Sequence, residues 1–305
     1  MNVSLRQLEY LVAVAELGNF HRAAERCAVT QPGLSMQIRT LEEQVGLQLF
    51  ERDRRRVVVT EAGRALAARA RTVLAAVDDF AREAALHGDP FDGDCRFGVI
   101  PTLAPYVLPR ALPLVRQRYP RLRLLLREDR TAALVGGLVA GDLDVALLAL
   151  EADLGDLETL ALFDDPFLVA LPSDHSLAAS ESIAPDRLDG ESVLLLDDGH
   201  CLRDQALSLC RQAGALEVGD FRAGSLTTLV QMVAGGVGIT LLPRLALGEC
   251  RGEPNIVLRP FAGIVPARTV GLAWRSASPF ATAYTELGRV LAAAHAEPAA
   301  GARSD

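Results

Sequence analysis

An uninterrupted helical stretch at residues 62–86 limits how the rest of the chain can fold. The stretch is rich in Ala, Leu and Arg, and no Gly or Pro occurs in it after Gly63. Its larger apolar residues recur at the spacing of one helix face, which predicts a single long helix. They are Leu66, Ala70, Val73, Leu74, Val77 and Phe80. The chain is therefore expected to have a head at 1–60, a linker helix at 61–88 and a body at 89–305.

Charge is distributed unevenly along the chain. Residues 1–72 carry 11 Arg and 8 acidic residues, whereas the remainder carries 20 Arg and 31 acidic residues. A basic head on an acidic body predicts that nucleic acid binds the N-terminal part only. The five cysteines are scattered, no signal-peptide pattern is present, and no apolar run reaches the ~18 residues of a membrane span. We expect a cytoplasmic protein with reduced thiols and no membrane partner.

The head has the pattern of a winged helix-turn-helix. Gly18 can end a first helix, Asn19 can cap a second, and Thr30 can cap a third. The stretch after the third helix has the pattern of a β-ribbon with four arginines near its tip, between residues 52 and 56. One helix would enter the major groove, and the ribbon would contact the DNA backbone or minor groove. A small helical bundle with a solvated arginine cluster is the alternative.

The motifs of this head resemble the N-terminal domain of LysR-type transcriptional regulators. They include Ala23-Ala24, Thr30-Gln31-Pro32, Leu34-Ser35, Gln37-Ile38, Leu49-Phe50-Glu51-Arg52 and Thr60-Glu61-Ala62-Gly63. The resemblance implies that double-stranded promoter DNA is contacted by one set of residues on the third helix and the wing. That set is Thr30, Gln31, Pro32, Ser35, Gln37, Arg52, Arg54, Arg55 and Arg56. Ser and Gln side chains can reach base edges or phosphates, whereas the arginines mostly neutralise phosphate.

The apolar stripe of the linker helix must be covered, because a lone amphipathic helix would leave that area in water. A second copy of the same helix would cover the stripe in a homodimer and would set two recognition helices on one face of the DNA. Packing of the stripe onto the body of the same chain is the alternative.

The body alternates short apolar strands with helical segments. The predicted strands are 95–100, 122–128, 145–150, 167–171, 192–196, 238–243 and 269–274. Such alternation predicts a mostly parallel sheet with helices on its faces. We expect two α/β lobes with a cleft between them, lobe I at 89–165 and 268–305 and lobe II at 166–267. This arrangement is similar to the periplasmic-binding-protein-like effector domain of LysR-type regulators.

Two cysteines, Cys201 and Cys210, stand nine residues apart in the body. On a helix, nine residues rise by ~13.5 Å and turn by roughly half a circle, which puts the sulfurs on opposite faces. A disulfide accepts a Cα separation of only ~4.4–6.8 Å, so bonding would require the segment to unwind. The pair is therefore either a redox switch or two unrelated buried thiols, since free cysteine is often buried.

The body also resembles the OxyR-type peroxide sensors of the LysR family. The resemblance is carried by Gly98-Val99-Ile100-Pro101-Thr102, Asp198-Gly199-His200-Cys201-Leu202-Arg203-Asp204-Gln205-Ala206, Cys210 and Ser225-Leu226-Thr227-Thr228-Leu229. It implies that Cys201 is the peroxidatic cysteine and Cys210 the resolving one. Hydrogen peroxide would oxidise Cys201 to a sulfenic acid, which would condense with Cys210 to a disulfide. The rearrangement would then shift the lobes and the spacing of the DNA-binding heads.

Five further residues are candidates for supporting the peroxide site. His200 and Arg203 are the sequence neighbours of the peroxidatic thiol and can supply donors to it. Thr102 and Thr131 match family positions whose hydroxyls could hold peroxide or water, and Arg268 matches a family arginine that could reach the site. The alternatives are structural, because either threonine can cap a following helix and the histidine can be a core or turn residue.

The resemblance implies a transcription regulator of the activator type, not an enzyme, that forms a homodimer or homotetramer. It further implies a glutaredoxin- or thioredoxin-type reductant and contact with RNA polymerase. No GxGxxG, Walker or zinc-ligand spacing occurs, so no cofactor and no metal are expected. Two alternatives stay open: a LysR-type regulator that answers a small metabolite in the cleft, and a thiol peroxidase with a helical appendage.

Overall fold

The computed structural model describes residues 3–52, 57–86 and 90–296. The chain forms two compact units, of which the first holds the head and linker helix and the second holds most of the body. The elements of the head and linker are α1 (Leu5–Leu17), α2 (Phe20–Arg26), α3 (Gln31–Val45), β1 (Phe50–Arg52), β2 (Val57–Val59) and α4 (Glu61–Leu86).

Local capping signals define the three helices of the head. Gly18 ends α1 in the left-handed conformation, with φ of 58°. The Asn19 side chain accepts backbone N–H bonds at the start of α2, and the Thr30 hydroxyl does the same for α3. Together with the antiparallel β1–β2 ribbon, these helices confirm the predicted winged helix-turn-helix. The predicted arginine tip falls mainly on 53–56, which lie outside the described residues.

The linker helix α4 buries only part of its predicted apolar stripe. Leu66 and Leu74 pack, partly buried, against the hydrophobic core of the head. Val73 and Val77 are exposed, and Phe80 is 74% exposed. These three exposed residues share one helix face, which leaves an apolar strip. A homodimer contact on this strip stays a prediction.

The body alternates strands and helices as expected. Its elements are β3 (Gly93–Val99), α5 (Ala104–Arg118), β4 (Leu122–Glu128), α6 (Thr131–Ala140), β5 (Val145–Ala149), β6 (Leu157–Pro172), β7 (Ser192–Leu196), α7 (Cys201–Gln212), β8 (Leu216–Ala223), α8 (Leu226–Ala234), β9 (Thr240–Pro243), β10 (Ile256–Pro260), β11 (Ala267–Arg275) and α9 (Ala281–Ala296). The sequence patterns missed β8, β10 and the first half of β6. Within the described ranges, no helix is long and apolar enough to cross a bilayer.

The prediction of a mostly parallel sheet is wrong. The largest sheet has the order β10-β6-β11-β5-β3-β4, with β9 also paired to β6. β3 is parallel to β4 and β5, and β7 is parallel to β8. Every pairing made by β6 or β11 is antiparallel. The reason is that the chain leaves lobe I along β6 and returns along β11, so these two neighbouring strands run in opposite directions.

Strand β6 contributes to both lobes. Its first part pairs with β11 as far as Pro166, and its second part, from Phe167, pairs with β9 and β10. The second lobe has its own hydrophobic core, built from β6, β7, β9, α7 and α8. Leu202, Ala206 and Cys210 are the fully buried contributions of α7 to that core. The helix that carries both cysteines is therefore held by the interior of one lobe.

Candidate functional site

Helix α7 carries both cysteines and separates their environments. Cys201 is its first residue and is 9% exposed, whereas Cys210 lies in its last turn and is 1% exposed. Both are free thiols. Their separation along the helix is about 13.5 Å, far outside the ~7 Å limit for bridging. The predicted ordered, unbonded arrangement of this segment is confirmed.

The two thiols face different surroundings. Cys210 packs into the hydrophobic core of lobe II, whereas Cys201 lines a cavity of about 730 Å³. Residues of both lobes line this cavity, including Thr131 from α6 and Phe167 from β6. Cys201 also stands at the positive end of a helix, where backbone N–H groups attract negative charge. A small polar molecule in the cavity would therefore reach the Cys201 sulfur but not the Cys210 sulfur.

Two residues that line the cavity each carry a buried oxygen with no hydrogen-bond partner among the described residues. These oxygens are the Thr131 Oγ1 and the Gln205 Oε1 atoms. Gln205 lies one helical turn beyond Cys201, on the same helix face. Buried polar atoms are nearly always satisfied, so these two oxygens indicate a place for a hydrogen-bonding ligand. The capping alternative for Thr131 is wrong, because its hydroxyl makes no capping bond.

The cavity has an acidic rim. Glu151, Asp153 and Asp204 line it, and none of the described lining residues carries a positive charge. Glu151 accepts a bond from Gln205 Nε2 at 3.0 Å with one carboxylate oxygen and from the backbone N–H of Thr269 at 2.6 Å with the other. A negative rim repels anionic ligands and tolerates neutral ones. The sequence analysis did not identify Gln205 or Glu151 as site residues. Gln205 could have been found, because its spacing of four residues from Cys201 places it on the same helix face.

Thr102 and Arg268 contact each other in a buried network. Neither residue is among the described residues that line the cavity. Arg268 is fully buried and donates from Nη1 to the Thr102 hydroxyl at 2.9 Å and from Nη2 to the Thr102 carbonyl at 3.0 Å. Its Nε donates to Asp165 at 3.0 Å. Asp165 in turn accepts from the backbone N–H of Leu245 at 3.0 Å. The capping alternative for Thr102 is wrong, because α5 is preceded by Leu103 with no side-chain cap.

His200 and Arg203 flank Cys201 in sequence but differ in role. Burial, with a smaller effect of Arg130, lowers the pKa of His200, so its imidazole is neutral at neutral pH. Arg203 is buried and turned away from the cavity lining. It donates to Asp198 at 2.8 Å and to Glu217 of β8 at 2.9 Å. Arg203 therefore anchors the first turn of α7 to the neighbouring sheet.

The resolving candidate Cys210 is held in an unreactive form. Burial, followed by the nearby Glu217 carboxylate, raises the pKa of Cys210 to about 11. Its thiol is therefore protonated at neutral pH, and only the thiolate is an effective nucleophile. Cys210 must leave the core before it can attack another sulfur.

Most of the predicted DNA-contacting residues lie at the start of α3. Gln31 is exposed and donates to the Ser35 hydroxyl at 3.2 Å. Gln37 is exposed and accepts a bond from the buried Gln7 at 3.3 Å. Pro32 is exposed in the first turn, next to the helix cap Thr30. The structure thus brings these five residues to the N-terminal half of one helix and its cap. Arg52 ends β1, whereas Arg54, Arg55 and Arg56 lie outside the described residues.

Comparison with known families identifies the class to which this fold and site belong. The model of the bacterial regulatory helix-turn-helix protein, lysR family, matches residues 5–64, and that of the LysR substrate binding domain matches residues 88–296. The chain therefore belongs to the LysR family of DNA-binding transcription regulators and is a regulator rather than an enzyme. No group of three or more His, Cys, Asp or Glu in the described ranges is placed to hold a metal ion.

Within that family the chain is similar to OxyR proteins. It is 44% identical over 291 residues to the DNA-binding transcriptional dual regulator OxyR of Escherichia coli (strain K12), covering 95% of both chains. A full-length OxyR variant from Pseudomonas aeruginosa matches with a TM-score of 0.74 and 36% identity over 95% of both chains. A hydrogen-peroxide-bound OxyR mutant of Corynebacterium glutamicum matches with a TM-score of 0.66 and 36% identity, over 97% of this chain and 93% of that one. The predicted OxyR-like character is confirmed.

Proposed function

We propose that this chain is a hydrogen-peroxide-responsive regulator of transcription whose sensing residue is Cys201. The observation that carries the proposal is the position of Cys201 at the start of α7, in a cavity that is also lined by two residues with buried, unpartnered oxygens. Support comes from the similarity to an OxyR structure that holds hydrogen peroxide. The acidic rim of the cavity is compatible with peroxide, which is neutral at physiological pH.

The proposed chemistry has two steps. The Cys201 thiolate attacks one oxygen of hydrogen peroxide, the O–O bond breaks, and the sulfur becomes a sulfenic acid while hydroxide leaves and is protonated to water. The Cys210 thiol then loses its proton, its thiolate attacks the Cys201 sulfur, and the S–O bond breaks. A disulfide is formed, and the hydroxide that leaves takes up a proton to give a second water. The second step waits for Cys210 to leave the core of lobe II, because its buried thiol is protonated.

The supporting residues take different parts in this proposal. Thr131 lines the cavity and would offer its hydroxyl to peroxide, and neutral His200 directly precedes Cys201 at the start of α7. Arg203 holds the start of α7 in place through its two ion pairs. Thr102 and Arg268 act indirectly, because they tie the connection before α5 to β11 through a buried network.

The regulatory output is proposed to pass through the head. As a homodimer or homotetramer joined partly through α4, the chain would bind double-stranded promoter DNA in the cytoplasm and act on RNA polymerase as an activator. A glutaredoxin- or thioredoxin-type reductant would return the disulfide to two thiols.

The test of the sensing proposal is mass spectrometry of the thiols before and after one equivalent of hydrogen peroxide. Wild-type chain is expected to lose two free thiols, Cys201 and Cys210, and to gain one disulfide between them. Cys201→Ser should lose none of its four remaining thiols, which are Cys27, Cys95, Cys210 and Cys250. Loss of other thiols at the same rate, or no loss at all, would contradict the proposal.

A metabolite-responsive regulator is the second candidate, and one observation favours it. The cavity of about 730 Å³ lies within the ~300–1,000 Å³ range of ligand pockets and is larger than peroxide requires. The acidic rim restricts such a metabolite to neutral or cationic compounds. Under this alternative, peroxide at one equivalent would leave the thiols intact, so the same mass spectra distinguish the two candidates.

DNA binding through the wing is expected to depend strongly on salt. Replacing Arg54, Arg55 and Arg56 with Ala should weaken binding to all sequences and reduce the slope of log K against log salt by up to ~0.9 per lost phosphate contact. Replacing Gln31 or Ser35 should instead alter sequence preference, because α3 would read base edges. Fluorescence anisotropy over a salt series measures both effects. Unchanged binding by the triple variant would show that the wing does not contact DNA.

A further inference from the structure

Glu151 holds Gln205 in one orientation through a pair of hydrogen bonds. One carboxylate oxygen accepts from the Thr269 backbone N–H at 2.6 Å, and the other accepts from Gln205 Nε2 at 3.0 Å. A carboxylate can only accept, so it selects the N–H end of the amide. The opposite end of the amide, Oε1, is buried and has no partner among the described residues. Gln205 and Cys201 both line the cavity.

We propose that Glu151 is a positioning residue. By orienting Gln205, it provides an oxygen that accepts a hydrogen bond from the oxidant at Cys201. The inference rests on the proposed function, since the oxidant is hydrogen peroxide. A peroxide molecule carries an O–H group on each oxygen and needs an acceptor for each when it leaves water. Gln205 Oε1 is a fixed acceptor, whereas the Thr131 hydroxyl can donate or accept. Thr131 and Gln205 both line the cavity that Cys201 also lines, and both oxygens are buried without a partner among the described residues.

A glutamine at position 151 would reverse this orientation. The new amide can keep the bond from the Thr269 N–H only with its oxygen turned to the backbone, which directs its NH₂ group to Gln205. Gln205 must then offer its own oxygen to that NH₂ group. Its Nε2 would enter the cavity, where an N–H donor would face the O–H donor of the peroxide. Glu151→Gln replaces a side chain by one of nearly equal size. It would thus exchange the acceptor Oε1 of Gln205 for the donor Nε2 beside Cys201.

A second substitution can restore the original arrangement. In the double variant Glu151→Gln with Gln205→Glu, the carboxylate at 205 accepts from the amide at 151 with one oxygen. Its other oxygen again offers an acceptor to the cavity. The single Gln205→Glu variant differs, because it places two carboxylates against each other and removes the bond between them.

The experiment compares two reagents on the full-length chain. Hydrogen peroxide carries O–H donors, whereas methyl methanethiosulfonate is a neutral thiol reagent without hydrogen-bond donors on oxygen or nitrogen. Mass spectrometry of the Cys201 peptide after timed quenching gives the rate constant for each reagent. Their ratio separates recognition of peroxide from general access to the sulfur or damage to the fold. Asp156→Asn is the matched control, because it removes one exposed negative charge nearby without lining the cavity.

Glu151→Gln is expected to lower the ratio roughly threefold to tenfold, as for the loss of one hydrogen bond. The double variant should return the ratio to near the wild-type value, Gln205→Glu alone should not, and Asp156→Asn should leave it unchanged. An unchanged ratio in Glu151→Gln, or no recovery in the double variant, would overturn this inference while the proposed function stands. A wild-type chain whose Cys201 does not react with hydrogen peroxide would overturn both.

Discussion

Oxidation of the wild-type chain is expected to speed amide hydrogen exchange strongly across residues 200–225. The reason is geometric, because a disulfide cannot span the length of an intact α7 between Cys201 and Cys210. Closing the bond must pull the helix from the core of lobe II. A second change in exchange is expected where the lobes or subunits meet. Hydrogen exchange with mass spectrometry on reduced and peroxide-treated chain measures the effect.

The size of this effect follows from what α7 buries. Leu202, Ala206 and Cys210 are each at most 3% exposed, and their exposure would cost roughly 4 kcal/mol. That free energy corresponds to about a thousandfold faster exchange in the affected segment. The disulfide must offset this cost, so it should be reduced comparatively easily, as labile regulatory bonds are. Matching exchange profiles in the two states would remove the physical basis of the switch.

The two cysteines are expected to give opposite phenotypes when each is replaced by serine. Cys201→Ser should abolish the response to peroxide, because it removes the atom that peroxide oxidises, while the reduced fold and DNA binding persist. Cys210→Ser should still form a sulfenic acid at Cys201 but no intramolecular disulfide. Its α7 should stay docked, since nothing pulls it from the core. Labelling with a dimedone-type reagent, followed by mass spectrometry, detects the sulfenic acid.

The contrast between the variants tests the assigned roles. The exchange profile of peroxide-treated Cys210→Ser should match that of the reduced wild type across 200–225. A Cys210→Ser chain that does not label at Cys201 would show that the division of roles is wrong. A labelled chain whose α7 nevertheless exchanges rapidly would show that sulfenic acid alone undocks the helix.

Sequence patterns predicted the head well because its signals are local. Gly18, Asn19 and Thr30 each act within a few residues of the helix end that they define. The direction of the strands in the body is set by topology instead. β6 and β11 are distant in sequence, and no local pattern shows that they run antiparallel. β8 was missed because Gly219 and several charged residues interrupt its apolar pattern.

In the site, too, the sequence predicted the local features but not the contacts between residues far apart in the chain. The cysteine pair and the helical spacing of its segment could be read directly from the sequence. The Thr102–Arg268 contact joins residues 166 positions apart, and the Gln205–Glu151 contact joins residues 54 apart. Such contacts depend on how the lobes close around the cavity. For this reason the buried network of Arg268 with Thr102 and Asp165 was not predicted, and the role of Arg268 at the sulfur stays a prediction.

The shared strand β6 has a consequence for synthesis on the ribosome. Lobe II is formed by one continuous stretch between β6 and β11, so all of its strands have emerged while lobe I still lacks β11. In lobe I, β11 lies between β5 and β6, and the sheet cannot close until translation is nearly finished. The cavity at Cys201 needs walls from both lobes. A nascent chain therefore has no assembled cavity at Cys201 until the last strand has been made.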